Sequence, residues 1–162
     1  MTLTQPQVKE LFEYKDGDLY WKSRPSNLLH CGMIAGYKNT KDLYWRVMVK
    51  GSMQLKHRLT FLYHHGYLPN FVDHINGNRE DNRIENLRPA TISENNHNSK
   101  IPKHNSSGIK GVSKKEKEKK WTCSLRTNGK LKTIGKFQTK ELASEFIELW
   151  REMAHGNFAR HY

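Results

Sequence analysis

The stretch from residue 71 to residue 98 constrains the fold more than any other part of the chain. Residues 71–74 are typical of a short strand, and they enter a loop rich in Asn, Asp and Gly. Residues 86–91 are typical of a strand that returns. Thr91 and Glu94 have the spacing of a capping box, which predicts that a helix begins there. The sequence therefore predicts a β-loop-β-helix unit.

The N-terminal flank predicts further small elements. Hydrophobic residues at helical spacing indicate a helix within residues 4–15, with Thr4 as its cap. Asp16-Gly17 and residues 44–55 indicate two hairpins, and residues 57–65 indicate a helix that Gly66 ends. Because only 35% of the 162 residues are hydrophobic, any core that these elements build is small.

The C-terminal part has a different pattern after a polar linker at residues 99–107. Three strands are predicted at 108–112, 121–126 and 131–137, with Asn128-Gly129 as the turn between the last two. An amphipathic helix follows at 139–155, capped by Thr139, and Phe146 and Trp150 are expected to cover one sheet face. The overall prediction is an α+β protein with domains 1–101 and 102–162, the second being a small three-stranded antiparallel sheet packed on one helix.

The formal net charge of +12 points to a polyanionic partner. Within 103–136 the basic residues greatly outnumber the acidic ones, which favours nucleic acid because phosphate contacts dominate non-specific affinity. No stretch reaches the ~20 apolar residues of a membrane span, and no signal-peptide pattern is present, so we expect a cytoplasmic protein that is not secreted. Cys31 and Cys123 are far apart without a CxxC partner, which excludes a cysteine zinc site.

Four polar residues in the 71–98 unit suit phosphodiester hydrolysis, which needs an activated water and a cation that stabilises charge. Asp73 is an oxygen ligand suited to Mg²⁺. His74 points to the opposite side of an extended strand, which makes it a base beside a ligand instead of a second ligand. Asn95 lies one turn into the helix, where its carbonyl oxygen can complete a metal site. Asn86 can hydrogen-bond loop backbone and hold the strand.

These residues carry a family resemblance. Asp73 to Gly77, residues 81–88 and residues 93–98 together resemble the HNH endonuclease motif, in the version of phage and intron-encoded homing endonucleases whose last position is Asn. The resemblance covers about residues 57–98. It implies a ββα-metal finger at about 71–98.

The resemblance also implies the roles of the site residues. His74 would be the general base, Asp73 and Asn95 would hold one divalent metal per active site (Mg²⁺, or another cation such as Mn²⁺), and Asn86 would orient His74 or the loop. Asn96 is the alternative to Asn95. His57-Arg58-Leu59 also resembles a feature of these proteins; Arg58 is expected to contact phosphate, whereas His57 either does so or packs at the helix start.

The C-terminal domain resembles the APETALA-type DNA-binding domain of plant ethylene-response factors, over about residues 107–160. The resemblance rests on residues 108–112, Trp121, Arg126, residues 134–139 and residues 156–159. It departs from the plant pattern in the lysine-rich loop 113–120 and at Ser124, so base preference does not carry over. By position, the expected DNA contacts are Lys110, Ser113, Lys115, Trp121, Arg126, Lys132 and Thr133, although Trp121 can instead belong to the core.

The sequence thus predicts a metal-dependent HNH endonuclease that acts on double-stranded DNA. We expect a phage homing endonuclease, working in the host cytoplasm as a monomer or weak dimer, without a membrane partner or a small-molecule cofactor. The alternative from the same residues is a non-catalytic DNA-binding regulator that keeps a degenerate finger. A basic RNA-binding or RNA-processing protein is a third reading of the charge.

Overall fold

Four short antiparallel sheets and four α-helices make up the described part of the chain. The computed structural model describes residues 3–22, 31–102, 104–114, 117–127 and 129–161. Two compact units are present, an N-terminal unit of Met1–Ala90 and a C-terminal unit of Thr91–Tyr162. The mixture of helices with small antiparallel sheets confirms the predicted α+β class.

The N-terminal helix and first hairpin form where the sequence predicts them. Helix α1 spans Gln5–Leu11, with Thr4 as its cap. Strands β1 (Phe12–Lys15) and β2 (Asp18–Trp21) are paired antiparallel. Asp16 and Gly17 between them both have positive φ, 49° and 93°, as a two-residue turn of this type requires.

The hairpin turn lies against residues that lead into strand β7 (Leu87–Ala90). The backbone N–H of Ile84 donates a hydrogen bond of 3.1 Å to the Tyr14 hydroxyl. A Cβ at Gly17 would lie 2.8 Å from Cγ of Arg83 and 3.1 Å from its backbone nitrogen. The close approach therefore depends on glycine at this turn.

A second sheet and helix complete the larger core. Strands β3 (Tyr37–Lys38), β4 (Trp45–Val49) and β5 (Ser52–Leu55) form a three-stranded antiparallel sheet, which adds one strand to the predicted hairpin. Helix α2 spans Lys56–His65 and ends at Gly66, whose φ is 78°. Ten buried residues form the core between these elements: Val8, Leu11, Phe12, Leu19, Trp21, Ala35, Val47, Val49, Leu59 and Leu62.

The predicted strand-loop-strand unit is present in the N-terminal unit. Strand β6 (Phe71–His74) pairs antiparallel with β7, and a short 3₁₀ turn at Ile84–Asn86 leads into β7. The sequence predicted Asn86 on the returning strand, but Asn86 lies in the 3₁₀ turn just before it. A small apolar cluster of Phe61, Val72 and Leu87 anchors the two strands on helix α2.

The C-terminal unit begins with helix α3 (Ile92–His97), capped by Thr91 through a capping box with Glu94. Strands β8 (Val112–Ser113), β9 (Trp121–Thr127) and β10 (Lys130–Phe137) form one antiparallel sheet. Helix α4 (Lys140–His155) follows, capped by Thr139. Asn128 of the predicted turn lies outside the described residues.

Two expectations for the C-terminal unit were wrong in detail. The first strand is reduced to β8, because the Ser107 hydroxyl bonds the carbonyl oxygens of Ile109 (3.0 Å) and Val112 (2.7 Å) and holds the preceding backbone in turns. Trp150 is 41% exposed, because the face of α4 that meets the sheet has a spacing of four and carries Ala143, Ile147 and Arg151.

The division between the units lies upstream of the predicted domain boundary at 101/102. Helix α3 belongs to the C-terminal unit because its end is bound there. The ammonium of Lys110 donates to the backbone carbonyls of His97 and Ser99, each at 2.6 Å. The rings of His97 and His155 stack with centroids 3.6 Å apart.

Candidate functional site

Asp73 is a buried carboxylate that is paired across the strands with Arg88. The two residues lie opposite each other in the β6–β7 ladder, and cross-strand partners share a face. Nε and Nη2 of Arg88 donate to Oδ2 of Asp73 at 3.0 and 2.9 Å. Asp73 is only 5% exposed. A guanidinium in this position compensates a charge that burial alone would make very costly.

His74, the next residue, is held by a different set of neighbours. Its ring is 3% exposed, and Nε2 lies 3.2 Å from Oδ1 of Asn82. The Asn82 amide is itself fixed, because its Nδ2 donates to the carbonyl of Glu80 at 3.2 Å. Since an amide oxygen only accepts, this contact makes Nε2 the protonated nitrogen of a neutral His74 ring.

The charge state of His74 follows from its surroundings. Burial lowers its pKa from the ordinary value, while the Asn82 hydrogen bond and the Asp73 charge oppose that shift. Burial is the largest of these effects, so the ring is neutral at neutral pH. The arrangement has the chemistry of a general base.

A second histidine packs against this ring. His57, near the start of α2, has its ring centroid 4.9 Å from that of His74 and 5.1 Å from that of Tyr44. The Arg79 guanidinium lies over the Tyr44 ring, 4.7 Å from its centroid. His57 is 5% exposed, and burial together with His74 and Arg58 lowers its pKa to about 3.

Asn86 organises the loop between the two strands. Its Oδ1 accepts from the backbone N–H of Asn76 at 3.0 Å, and its Nδ2 donates to the carbonyl of Asp81 at 2.8 Å. Nδ2 also donates to Oδ1 of Asn76 at 3.0 Å. Asp81 in turn pairs with Arg83, whose hydrogen bonds lower the Asp81 pKa to about 2. The loop that carries Asn82 is therefore closed by one amide side chain.

Two further predicted residues have other surroundings. The Arg58 guanidinium donates to the backbone carbonyls of Pro69 (3.1 Å) and Asn70 (3.0 Å), and so braces the connection between α2 and β6. Asn95 lies on α3, as does Asn96, and both belong to the C-terminal unit. Their part in a site with Asp73 stays a prediction.

The DNA contacts predicted in the C-terminal unit fall into several environments. Lys110 uses its ammonium on the chain's own carbonyls, and its pKa is lowered to about 8 by burial, with Arg151 and Arg160 adding to the effect. Trp121 is partly buried against the core, and the Lys114 ammonium lies 5.4 Å from its ring centroid. Lys115 lies outside the described residues.

The remaining predicted contacts lie on two different faces of the sheet. Lys132 is opposite Leu125, which is 6% exposed and belongs to the core, so Lys132 projects from the helix-facing side. Arg126 and Thr133 each follow one of these two residues and therefore point outward. The outward face thus carries Ser113, Arg126 and Thr133.

A divalent cation is compatible with the donors in the predicted set. Asp73 supplies a carboxylate oxygen and Asn95 an amide oxygen, which are the hard donors that Mg²⁺ prefers. Within residues 3–22, 31–102, 104–114, 117–127 and 129–161, His, Cys, Asp and Glu side chains form no group of three that could hold a metal ion.

The family comparison matches the same region. Residues 54–97 match the HNH endonuclease family. Protein 3.8 of Escherichia phage T7 is 36% identical over 90 residues, which are 56% of this chain and 74% of that protein. The uncharacterized HNH endonuclease L560 of Acanthamoeba polyphaga mimivirus is 35% identical over 127 residues, 77% of this chain and 62% of that protein.

The chain belongs to the HNH endonuclease family. Membership implies a nuclease that acts on DNA, and HNH nucleases generally depend on a divalent metal. No solved structure matches the chain. The family match ends at residue 97, and none of these comparisons assigns the C-terminal segment to an APETALA-type domain. Among the described residues, no helix is long and apolar enough to cross a membrane.

The sequence did not single out three residues that the structure places at the site. Arg88 and Asn82 both lie in the motif blocks, yet nothing in their spacing assigned them to Asp73 and His74. The pairing of Arg88 with Asp73 could have been predicted from the hairpin register, because residues at equal distances from the centre of the connecting loop face each other across the two strands. Tyr44 comes from a distant segment, and only the tertiary fold brings it to the two histidines.

Proposed function

We propose that this protein is a divalent-metal-dependent endonuclease of the homing type that hydrolyses phosphodiester bonds in double-stranded DNA. The observation that carries the proposal is the buried, neutral His74, oriented by Asn82 and next in sequence to the paired carboxylate Asp73. The viral origin of the relatives supports the homing type.

In this proposal His74 accepts the proton of the attacking water. A base must be within hydrogen-bond distance of that water and must be unprotonated at the working pH. The lowered pKa of His74 meets the second condition. The Asn82 amide meets part of the first, because its contact with Nε2 holds the ring in place. The new bond joins the water oxygen to phosphorus, and the bond to the 3′ oxygen breaks, which leaves a 5′-phosphate.

Asp73 and Asn95 would hold the divalent cation, with Asn96 as the alternative to Asn95. When bound, such a cation stabilises negative charge on the phosphate and on the leaving oxygen. Arg88 has a separate part in the proposal, since it balances the Asp73 carboxylate in the fold and keeps it in one orientation. Asn86 holds the loop that positions Asn82.

The C-terminal unit is proposed to bind DNA in the manner of an APETALA-type domain. The outward face with Ser113, Arg126 and Thr133 fits a sheet that lies in the major groove. Lys115, Trp121 and Lys132 remain proposed contacts, whereas Lys110 and Arg58 already bond backbone carbonyls. Tethering a weakly binding nuclease site to such a module raises its effective concentration at DNA.

The test is a cleavage assay on a mixture of phage-genome fragments, with Mg²⁺ or with EDTA. Wild-type protein should cleave only with the metal, and His74→Ala should lower the rate about 10²–10⁴-fold because the general base is lost. DNA affinity, measured by fluorescence anisotropy, should stay within about threefold, since the proposed phosphate and base contacts of the C-terminal unit are unchanged. His65→Ala is the matched control, because His65 is an exposed histidine on α2.

Two outcomes would contradict the proposal. Full cleavage by His74→Ala would remove His74 as the base. A wild-type protein that binds duplex DNA tightly without cutting it under any divalent metal would favour the non-catalytic regulator. Competition between duplex DNA and RNA in the same anisotropy experiment distinguishes a DNA enzyme from an RNA-binding protein.

A further inference from the structure

His57 is a polar side chain in a position where packing alone would favour an apolar ring. It is 5% exposed and packs against the rings of His74 and Tyr44, at centroid distances of 4.9 and 5.1 Å, and those two rings are 6.1 Å from each other. A phenyl ring would fill the same space, so the packing alone does not explain the nitrogens.

Among the residues that the structure describes, the ring nitrogens of His57 have no hydrogen-bond partner, yet they reach the surface. No hydrogen bond to either nitrogen is present within the part of the chain that the structure describes. In that same part, the Thr60 hydroxyl is the one side-chain polar atom that is both fully buried and unpartnered. The His57 nitrogens therefore keep contact with solvent beside His74, although the rest of the ring is covered.

The protonation state of the His57 ring suits a hydrogen bond to a phosphate oxygen. Burial, with His74 and Arg58, lowers the His57 pKa to about 3, so the ring is neutral at neutral pH. A neutral imidazole has one N–H donor and one acceptor nitrogen. A phosphodiester offers acceptor oxygens only, so it can take the N–H, and a donor at the phosphate stabilises the charge that develops there during hydrolysis.

We propose that His57 is a second catalytic residue, which donates a hydrogen bond from its ring N–H to a phosphate oxygen of the scissile bond beside His74. This inference rests on the proposed endonuclease function. It adds no proton transfer: His74 takes the proton of water, the bond from phosphorus to the 3′ oxygen breaks, that oxygen takes a proton from solvent, and His57 keeps its own proton throughout.

The test is His57→Phe, which keeps the ring and removes the N–H. Cleavage under single-turnover conditions with Mg²⁺ should fall about 10²–10³-fold, the usual effect of losing one preorganised donor. The unfolding midpoint in urea should be close to or higher than that of wild type, because the phenyl ring keeps the packing and is more hydrophobic than imidazole. DNA affinity should stay within about threefold, and His65→Phe on the same helix should change none of the three measurements.

A second variant separates the donor from the ring. His57→Gln restores an N–H without the ring shape, and it should cleave faster than His57→Phe even though it is less stable. If His57→Phe cleaves at the wild-type rate, the inference is overturned and His57 only packs. If wild-type protein does not cleave at all, the proposed function fails first, so the two failures are distinguishable.

Discussion

The two units of the molecule bury charged side chains in different ways. In the N-terminal unit, Asp73 and Arg88 neutralise each other at 2.9 Å. In the C-terminal unit, Arg151 is 1% exposed, and its guanidinium bonds the Lys110 carbonyl and, at 2.9 Å, Nδ1 of His161. One arrangement is an ion pair, while the other is a cation held by neutral acceptors.

The comparison teaches what each buried charge is for. An ion pair between strands β6 and β7 holds the Asp73 carboxylate in one orientation. A guanidinium on a carbonyl and a ring instead ties separate segments of the chain together. We therefore expect the free energy of unfolding to fall more when the Asp73–Arg88 ion pair loses one partner than when the hydrogen bonds of Arg151 are removed.

Removal of Arg88 has the largest expected effect. Arg88→Met leaves Asp73 as a buried carboxylate without its counter-ion, and should lower the free energy of unfolding by about 3–5 kcal/mol. Urea denaturation with and without Mg²⁺ measures this, and Mg²⁺ should stabilise the variant more than it stabilises wild type if Asp73 is a ligand. The double variant Asp73→Asn/Arg88→Met should be more stable than Arg88→Met alone, and the opposite order would contradict the ion-pair reading.

Removal of Arg151 should lower the free energy of unfolding less than removal of Arg88. Arg151→Met keeps most of the volume and leaves two neutral acceptors without a donor, for a loss of about 1–3 kcal/mol in the same denaturation experiment. Cleavage by this variant at a temperature well below its unfolding transition should match wild type. A loss as large as that of Arg88→Met would break the distinction between the two units.

The smallest expected effect is on the pH dependence of stability, and it comes from the stacked rings of His97 and His155, called here the histidine stack. Burial and His97 lower the pKa of His155 to about 4, so the folded protein binds this proton less readily than the unfolded chain. Its stabilisation is present above pH 6.5 and is lost as the pH falls from 6.5 towards 4. Because the ring is partly solvated, we expect about 1 kcal/mol or less.

The measurement is the unfolding free energy from pH 7 to pH 4 for wild type and His155→Gln. The variant should lose less stability over that range than wild type does. His57→Phe should flatten the curve further, since His57 is more deeply buried and its pKa is lower, about 3. A steeper curve for His155→Gln would show that the stack is not the source.

Local rules predicted most of the elements correctly. The two hairpin turns, the end of α2 at Gly66 and the capping box at Thr91 all depend on residues within a few positions of each other. Their energetics are therefore visible in the sequence alone. The strand that carries Asp73 and His74 was predicted for the same reason.

The remaining features depend on contacts that are distant in sequence. Tyr44 meets His57 and His74 only through the packing of a sheet on a helix, and Ser107 removes strand structure through hydrogen bonds that a hydrophobic pattern does not reveal. The end of α3 is bound by Lys110, a basic residue that its position in the APETALA-type pattern marked as an expected DNA contact. Charge alone does not distinguish a lysine that meets phosphate from one that meets carbonyl oxygens.

The β1–β2 hairpin determines which residues must accompany the segment 54–97 if that segment is moved into another protein. Tyr14 accepts a hydrogen bond from Ile84, and the Gly17 turn lies directly on Arg83, a residue beyond Asn82. The residues that support the loop between β6 and β7 thus come from much earlier in the chain, since Tyr14 precedes Ile84 by 70 residues. A nuclease cassette cut at residues 54–97 would leave those supports behind, so the unit to graft onto another DNA-binding protein begins at the first helix.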